Sequence, residues 1–192
     1  NDADNSAMST KKHVPEAIQA FPRRMASFDK PIIAAVNGVA AGGGMDLALA
    51  CDIRTASKSA KFSESYAKIG LLPGGGGAYF LPRIVGTARA LELLLTADLI
   101  DAEQALQIGL VNHVFEDAEL LTQTQALAGR MAALPPYSVT KIKRTVYQSL
   151  QTDIHTALEL VGSHIATAKS SADHLEAIAA FREKRPGDYK KR

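Results

Sequence analysis

Short apolar runs alternate with longer amphipathic stretches along most of the chain. Residues 32–36 and 111–115 are short, largely apolar runs bounded by turn residues, which is typical of buried strands, and we expect a further strand at 52–56. Helical periodicity is found in a set of longer segments, at 14–28, 45–51, 78–85, 87–95 and 118–134. Strands that alternate with helices in this way predict an α/β fold.

The last part of the chain has a helical pattern only. From residue 138 onward the periodicity is that of helices, and no further strand pattern follows. We therefore expect two parts: a core of residues 1–134 and a C-terminal all-helical region of residues 135–192.

Turn and helix-cap signals predict two further features of the core. The glycine- and serine-containing segment at 57–77 predicts a long loop region. Asp101 and Gln104 have the spacing of a capping box, in which each side chain accepts a backbone N–H of the other residue. A helix that begins there is expected to end at Gly109, because glycine is favoured just past a helix C-terminus.

Composition excludes several classes of protein. With 46% hydrophobic and 22% charged residues, the 192-residue chain is typical of a globular protein and not of a disordered one. No apolar run approaches the roughly 20 residues that a membrane-spanning helix needs. The single cysteine, Cys51, excludes an internal disulfide, so we expect a reducing compartment, the cytoplasm. The polar first residues and the lack of an initiator Met indicate a piece of a longer chain.

Basic residues are concentrated at the C-terminal end. The formal net charge of +2 does not indicate nucleic-acid or membrane binding by bulk charge. Residues 182–192 nevertheless contain six basic and two acidic side chains, a net charge of +4. These cations either form a solvated helix end, where the helix dipole favours them, or contact an anion.

The glycines at 42–44 lie between a predicted strand and a predicted helix. Glycine lets a ligand approach the backbone closely, and the first N–H groups of a helix have no partner within it. Such groups stabilise negative charge, so this segment is either an oxyanion site or a tight turn that packs a helix on a strand. The nucleotide fingerprint G-x-G-x-x-G is not present, because Ala40 stands two positions after Gly38.

Several motifs then occur in a characteristic order. They are Lys30-Pro31 through Asn37-Gly38, Gly42-Gly43-Gly44-x-Asp46 through Cys51-Asp52, Phe62, Gly70-Leu71-x-Pro73-Gly74, Leu81-Pro82-Arg83, Gly86, Leu95-Thr96 and Gly109-Leu110-Val111. Together they resemble the crotonase superfamily, which contains the enoyl-CoA hydratases and isomerases. The resemblance begins near residue 20 and continues to the C-terminus.

The resemblance implies a fold and a substrate. The expected fold is a spiral of ββα turns followed by helices that assemble trimers or hexamers. The expected substrate is an acyl-CoA thioester, with no separate cofactor, since CoA is part of the substrate, and with no metal. Membrane and nucleic-acid partners are not expected.

The resemblance also implies an oxyanion hole made of two backbone N–H groups. One of them matches Gly43, with Gly42 and Gly74 beside the substrate. The other belongs to a motif upstream of the matched residues, so we expect the first part of the spiral to be missing from this chain. The Phe-x-x-Lys pattern of Phe181 and Lys184 matches the position at which the family contacts the CoA nucleotide.

The acid and base positions depart from the family. Where family hydratases carry two glutamates, this chain has Asp46 at the first position and Tyr66 at the second. Glu64 lies two residues before the second position, and we expect it to be a surface loop carboxylate, with Tyr66 as a wall of the pocket. Asp46 is then the main acid and base, and Glu64 and Tyr66 remain candidates to assist it.

Two other functions remain open at this point. The chain is either an active hydratase or isomerase or a noncatalytic subunit that keeps the fold after loss of the second acid. A member of the superfamily that binds RNA is a further alternative, supported only by the basic tail. Aromatic residues make up just 6% of the chain, and stacking on bases needs aromatic side chains.

Overall fold

The computed structural model describes residues 18–189, and these contain two three-stranded sheets. The strands are β1 (Ile33–Val36), β2 (Val39–Ala41), β3 (Ile53–Ser57), β4 (Lys61–Ser63), β5 (Ile100–Asp101) and β6 (His113–Phe115). The helices are α1 (Ala20–Ala26), α2 (Gly43–Leu49), α3 (Gly77–Val85), α4 (Thr87–Thr96), α5 (Ala102–Gln107), α6 (Leu120–Ala132), α7 (Pro136–Ser149), α8 (Ile154–Lys169) and α9 (Ala172–Glu183). A 3-10 helix at Ser65–Ile69 completes the set.

The strands repeat a simple unit of two strands followed by a helix. In one sheet β1 pairs in parallel with β3, and β3 with β6; in the other β2 pairs in parallel with β4, and β4 antiparallel with β5. The unit β1-β2-α2 therefore stacks on the unit β3-β4-α3, strand on equivalent strand. This is a spiral of ββα turns, and the α/β fold expected from the sequence is confirmed.

The core lies between these turns. Its largest buried side chains come from α2, β4, α3 and the segment after α5, and they include Met45, Leu49, Phe62, Leu81 and Leu110. Each is at most 2% exposed, and burial of such a side chain stabilises the fold by about 1.5–3 kcal/mol. The core therefore holds the end of β4 and the start of α2 in place.

The chain divides into two compact units. The first contains residues 18–28 and Ile32–Thr124, and the second contains Asp29–Pro31 and residues 125–189. The second unit is helical, with Asp29 paired to Arg144 of α7. The boundary predicted after residue 134 stays a prediction.

The structure corrects the prediction of a long loop region at residues 57–77, which contain the short strand β4 and the 3-10 helix. It also adds a short strand after Gly38, β2, for which the sequence analysis makes no prediction. A strand of three residues is too short to show an alternating pattern, and these two are defined mainly by pairing with each other. The first residues of the helix predicted at 14–28 lie outside the described residues.

Candidate active site

Asp46 is held at the bottom of a glycine turn that opens α2. Gly42 has a positive φ of 51°, and its N–H donates to the Ser63 carbonyl of β4 at 2.9 Å. Glycine adopts this backbone conformation without strain. Gly43 is the first residue of α2 and is exposed, whereas Asp46, in the same first turn, is only 3% exposed. The first turn of α2 therefore contains both an exposed glycine and a buried carboxylate.

Three donors converge on the Asp46 carboxylate. The Tyr66 hydroxyl donates to Oδ2 at 2.6 Å, and the Gly75 N–H donates to the same oxygen at 2.9 Å. The Gly77 N–H donates to Oδ1 at 2.5 Å. Hydrogen bonds from backbone and hydroxyl donors stabilise the charged form of a carboxylate. Asp46 thus occupies a site suited to a buried negative charge.

The loop that supplies the two N–H groups must consist of glycine. A Cβ built on Gly75 would lie 2.7 Å from Asp46 Oδ2. A Cβ on Gly77 would lie 2.5 Å from Glu64 Oε1 and 2.7 Å from Asp46 Oδ1. Gly76 between them has a backbone φ of 114°, which residues with a side chain rarely adopt. Gly74 precedes this cradle and is half-buried.

Tyr66 lies over the glycine turn. Its hydroxyl is 3.7 Å from the position of a Cβ on Gly43, and its ring carbon Cζ is 3.7 Å from the position of a Cβ on Gly42. Burial, the hydrogen bond to Asp46 and the nearby charges of Asp46 and Glu64 all raise the pKa of Tyr66. The hydroxyl therefore stays protonated and acts as a donor at neutral pH.

Glu64 is not the surface loop carboxylate that the sequence predicted. It is 1% exposed and directly follows β4, which turns the side chain inward toward Asp46. Neither of its carboxyl oxygens has a hydrogen-bond partner among residues 18–189. Burial first, and then the charge of Asp46, raise the pKa of Glu64 to about 8. Glu64 is therefore a neutral acid at pH 7.

The structure brings most of the predicted site residues together. Gly42, Gly43, Asp46, Glu64 and Tyr66 lie around one point in the first unit. Their roles in catalysis stay predictions.

Two predicted CoA contacts belong to the second unit. Phe181 is 87% exposed in the last turn of α9, and Lys184, also exposed, follows that helix with a φ of 55°. Both side chains are accessible to a ligand, and their contact with CoA stays a prediction. Residues 190–192 of the basic tail lie outside the described residues.

Sequence reasoning missed the two backbone donors from the glycine loop. The signal was present in the run of four glycines after Pro73. A backbone N–H has no side chain to mark it, so its partner becomes visible only in the folded chain.

The described residues contain neither a metal site nor a membrane-spanning helix. Within residues 18–189, no group of three or more His, Cys, Asp or Glu side chains is arranged to hold a metal ion. No helix in this part of the chain is long and apolar enough to cross a membrane.

Comparison with known proteins identifies the family. The sequence model of the enoyl-CoA hydratase/isomerase family matches residues 2–192. A crotonyl-CoA hydratase from Syntrophomonas wolfei is 40% identical over 184 residues, which cover 96% of this chain and 70% of the relative. A 1,2-epoxyphenylacetyl-CoA isomerase from Escherichia coli is 41% identical over 167 residues, covering 87% of this chain and 64% of the relative.

A solved structure agrees in fold. The enoyl-CoA hydratase from Bacillus anthracis superposes with a TM-score of 0.92 at 34% identity, covering 96% of this chain and 71% of that one. The ββα spiral, with a buried carboxylate that follows a glycine turn, is thus the fold of an acyl-CoA enzyme. The chain belongs to the enoyl-CoA hydratase/isomerase family, as its motifs predicted, and it spans between about half and about 70% of the length of its relatives.

Proposed function

We propose that the protein converts enoyl-CoA thioesters by proton transfer at the carbon next to the thioester carbonyl. The observation that carries this proposal is the Asp46 carboxylate, which is buried, held by three donors and placed in the first turn of the helix that begins at the exposed residue Gly43. The names of the relatives, crotonyl-CoA hydratase and 1,2-epoxyphenylacetyl-CoA isomerase, support a hydratase or isomerase that acts on an acyl-CoA.

Asp46 acts as the base and then as the acid. Its carboxylate takes a proton from the acyl chain, and the electron pair of the broken C–H bond moves to the thioester oxygen, which becomes an enolate oxygen. Return of the proton to a different carbon shifts the double bond, so the reaction consumes nothing else. A positioned acid or base contributes about 10²–10⁴ in rate to such a step.

The Gly43 N–H stabilises the enolate oxygen. It belongs to the first turn of α2, where backbone N–H groups have no helical acceptor and the helix dipole favours negative charge. Gly42 and Gly74 leave room for the thioester beside it.

Isomerisation is the reaction that the surroundings of Asp46 support best. It needs one carboxylate that takes and returns a proton, and Asp46 is the carboxylate with donors around it. Tyr66 orients Asp46 as a hydrogen-bond donor. Hydration is the second candidate, supported by the hydratases among the relatives; Asp46 would then activate water for attack on the double bond.

Assembly and CoA binding depend on the second unit. We propose a homotrimer or hexamer in the cytoplasm, in which Phe181 and Lys184 approach the CoA nucleotide. The exposure of Phe181 and of other apolar residues on α8 and α9, Ile154, Leu158 and Leu175, supports an association surface there. A cation near a phosphate gains from both charge and hydrogen bonding.

Replacement of Asp46 tests the proposed reaction. Asp46→Asn keeps the size of the side chain and removes the base, so turnover of both a 2-enoyl-CoA and a 3-enoyl-CoA should fall about 10²–10⁴-fold. Isomerisation and hydration are followed separately by the position of the double bond and by the hydroxyacyl product. The matched control is Asp98→Asn, an exposed carboxylate in the loop after α4 that should leave both rates unchanged.

Three outcomes would contradict the proposal. Activity of Asp46→Asn within threefold of wild type would remove Asp46 from the mechanism. If the wild-type protein turns over neither substrate yet binds acyl-CoA, the noncatalytic alternative is favoured. Tight, salt-dependent binding to RNA would favour the RNA-binding alternative instead.

A further inference from the structure

The proposed mechanism gives no role to the buried carboxyl of Glu64. This side chain is 1% exposed and lies where β4 ends beside the glycine turn. A polar group buried without hydrogen bonds costs free energy, and a buried charge without a partner costs far more. Glu64 has no partner for either oxygen among residues 18–189. Its presence in the core of the site therefore calls for a physical explanation.

Glu64 and Asp46 face each other across one glycine. The position of a Cβ on Gly77 lies 2.5 Å from Glu64 Oε1 and 2.7 Å from Asp46 Oδ1, so only the Cα hydrogen of this residue fits between the two carboxyls. The two groups are close neighbours in a site shielded from water. Two carboxylates in such a site cannot both ionise cheaply, and the pair keeps one proton over a range of pH.

The donors decide which carboxyl keeps that proton. The Tyr66 hydroxyl and the N–H groups of Gly75 and Gly77 all donate to Asp46, and none of them donates to Glu64. Hydrogen bonds to the charged form stabilise it, whereas burial without donors stabilises the neutral form. The negative charge of the pair therefore resides on Asp46 and the proton on Glu64.

We propose that Glu64 is a positioning residue whose protonated carboxyl keeps Asp46 charged and in place, and that loss of this proton ends turnover. The inference rests on the proposed function, in which the Asp46 carboxylate is the base. An ionised Glu64 would repel Asp46 and compete with it for the N–H of Gly77, the residue that lies between the two carboxyls. Asp46 would then leave the geometry that its three donors define.

The titration of Glu64 sets the pH at which this occurs. Burial and the charge of Asp46 raise its pKa to about 8. Asp46 faces Glu64 from α2, and the charge of Asp46 acts on it. Tyr66 lies near Glu64 on the 3-10 helix, and the charge of Glu64 helps to raise the pKa of Tyr66. The loop Gly74–Gly77 adds only backbone. The site should therefore lose activity as the pH rises through about 8.

A pH–rate profile of wild type and Glu64→Gln tests the proposal. Each profile is normalised to its own value at pH 7, so a change in absolute rate does not enter. Wild type should lose about tenfold between pH 7 and pH 9, because about nine tenths of Glu64 is then ionised. Glu64→Gln cannot ionise and should lose less than about twofold. Glu103→Gln, an exposed carboxylate on α5, is the matched control and should keep the wild-type profile.

Unfolding experiments give a readout that does not depend on turnover. Because the pKa of Glu64 is raised from 4.5 in the unfolded chain to about 8, the folded protein holds a proton that the unfolded chain releases. Wild type should therefore lose stability relative to Glu64→Gln as the pH rises from 5 to 8, as measured by urea unfolding at both pH values.

Each outcome decides the proposal. An alkaline decline that persists unchanged in Glu64→Gln, or a wild-type profile that stays flat to pH 9, would overturn it. A stability difference that does not change with pH would also overturn it, because Glu64 would then not hold the proton. If no acyl-CoA is turned over at all, the proposed function fails, and the unfolding data alone still decide the protonation of Glu64.

Discussion

Asp46 and Glu64 show how the surroundings assign different states to the same chemical group. Both are buried carboxyls beside Gly77, yet Asp46 accepts three hydrogen bonds and Glu64 accepts none. Two carboxyls in different surroundings are common where acid and base chemistry occurs. The difference in surroundings here comes largely from backbone N–H groups, so it is sensitive to the glycines that expose them.

Gly77→Ala should disrupt this arrangement. The new Cβ would lie 2.5 Å from Glu64 Oε1 and 2.7 Å from Asp46 Oδ1, so one or both carboxyls must move. We expect turnover to fall sharply and the free energy of unfolding to drop by about 1–3 kcal/mol, as for other overpacked sites. Steady-state kinetics and urea unfolding measure the two effects.

Gly44→Ala is the matched control for this substitution. Gly44 also lies in the first turn of a helix, and a Cβ built on it meets nothing within 4 Å. Its stability should stay the same or rise by up to about 1 kcal/mol, because alanine is the better helix former. A loss of stability equal to that of Gly77→Ala would show that the two glycines do not differ as described.

The start of α5 is an element whose boundary could be predicted from local chemistry. Asp101 Oδ1 accepts the Gln104 N–H at 2.8 Å, and Gln104 Oε1 accepts the Asp101 N–H at 3.1 Å, which confirms the expected capping box. The same residue ends β5, which pairs with β4 next to Glu64. The cap thus supports the strand that leads into the site.

Asp101→Ala should destabilise the protein by about 1 kcal/mol, because one N–H at the start of α5 loses its acceptor. Asp101→Asn keeps an acceptor oxygen and should retain most of the wild-type stability. Thermal or urea unfolding of the two variants measures the difference. Equal stability of Asp101→Ala and wild type would mean that water replaces the cap at no cost.

At the scale of the whole molecule, we expect oligomer size and CoA binding to depend on the helical second unit. Removal of residues 178–192 deletes the exposed Phe181 and the basic tail together, so we expect a smaller oligomer by light scattering and weaker binding of CoA. Lys184→Ala separates the two effects. It should leave the oligomer intact and weaken CoA binding by up to about fivefold, and by less at high salt. A truncated protein with unchanged size and affinity would contradict the proposed role of the tail.

Local patterns were sufficient for much of this protein. Helical periodicity predicted α3, α4 and α6 to within a few residues, since such periodicity reflects one face turned to a core. Turn glycines and the cap at Asp101 predicted where elements start and stop, because they act through neighbours in the chain. The order of the motifs was enough to predict the family and the position of Asp46 behind the glycine turn.

The environment of Glu64 was decided only by the folded chain. It follows a strand of three residues, in which too few positions exist to indicate which side faces the core, and a shift of one residue would turn its side chain outward. Pairing of β4 with β2 sets that register, and the Gly77 loop then closes over the two carboxyls. Both contacts join residues distant in the chain. Side-chain pattern therefore predicted a surface carboxylate, where tertiary packing made a buried acid beside Asp46.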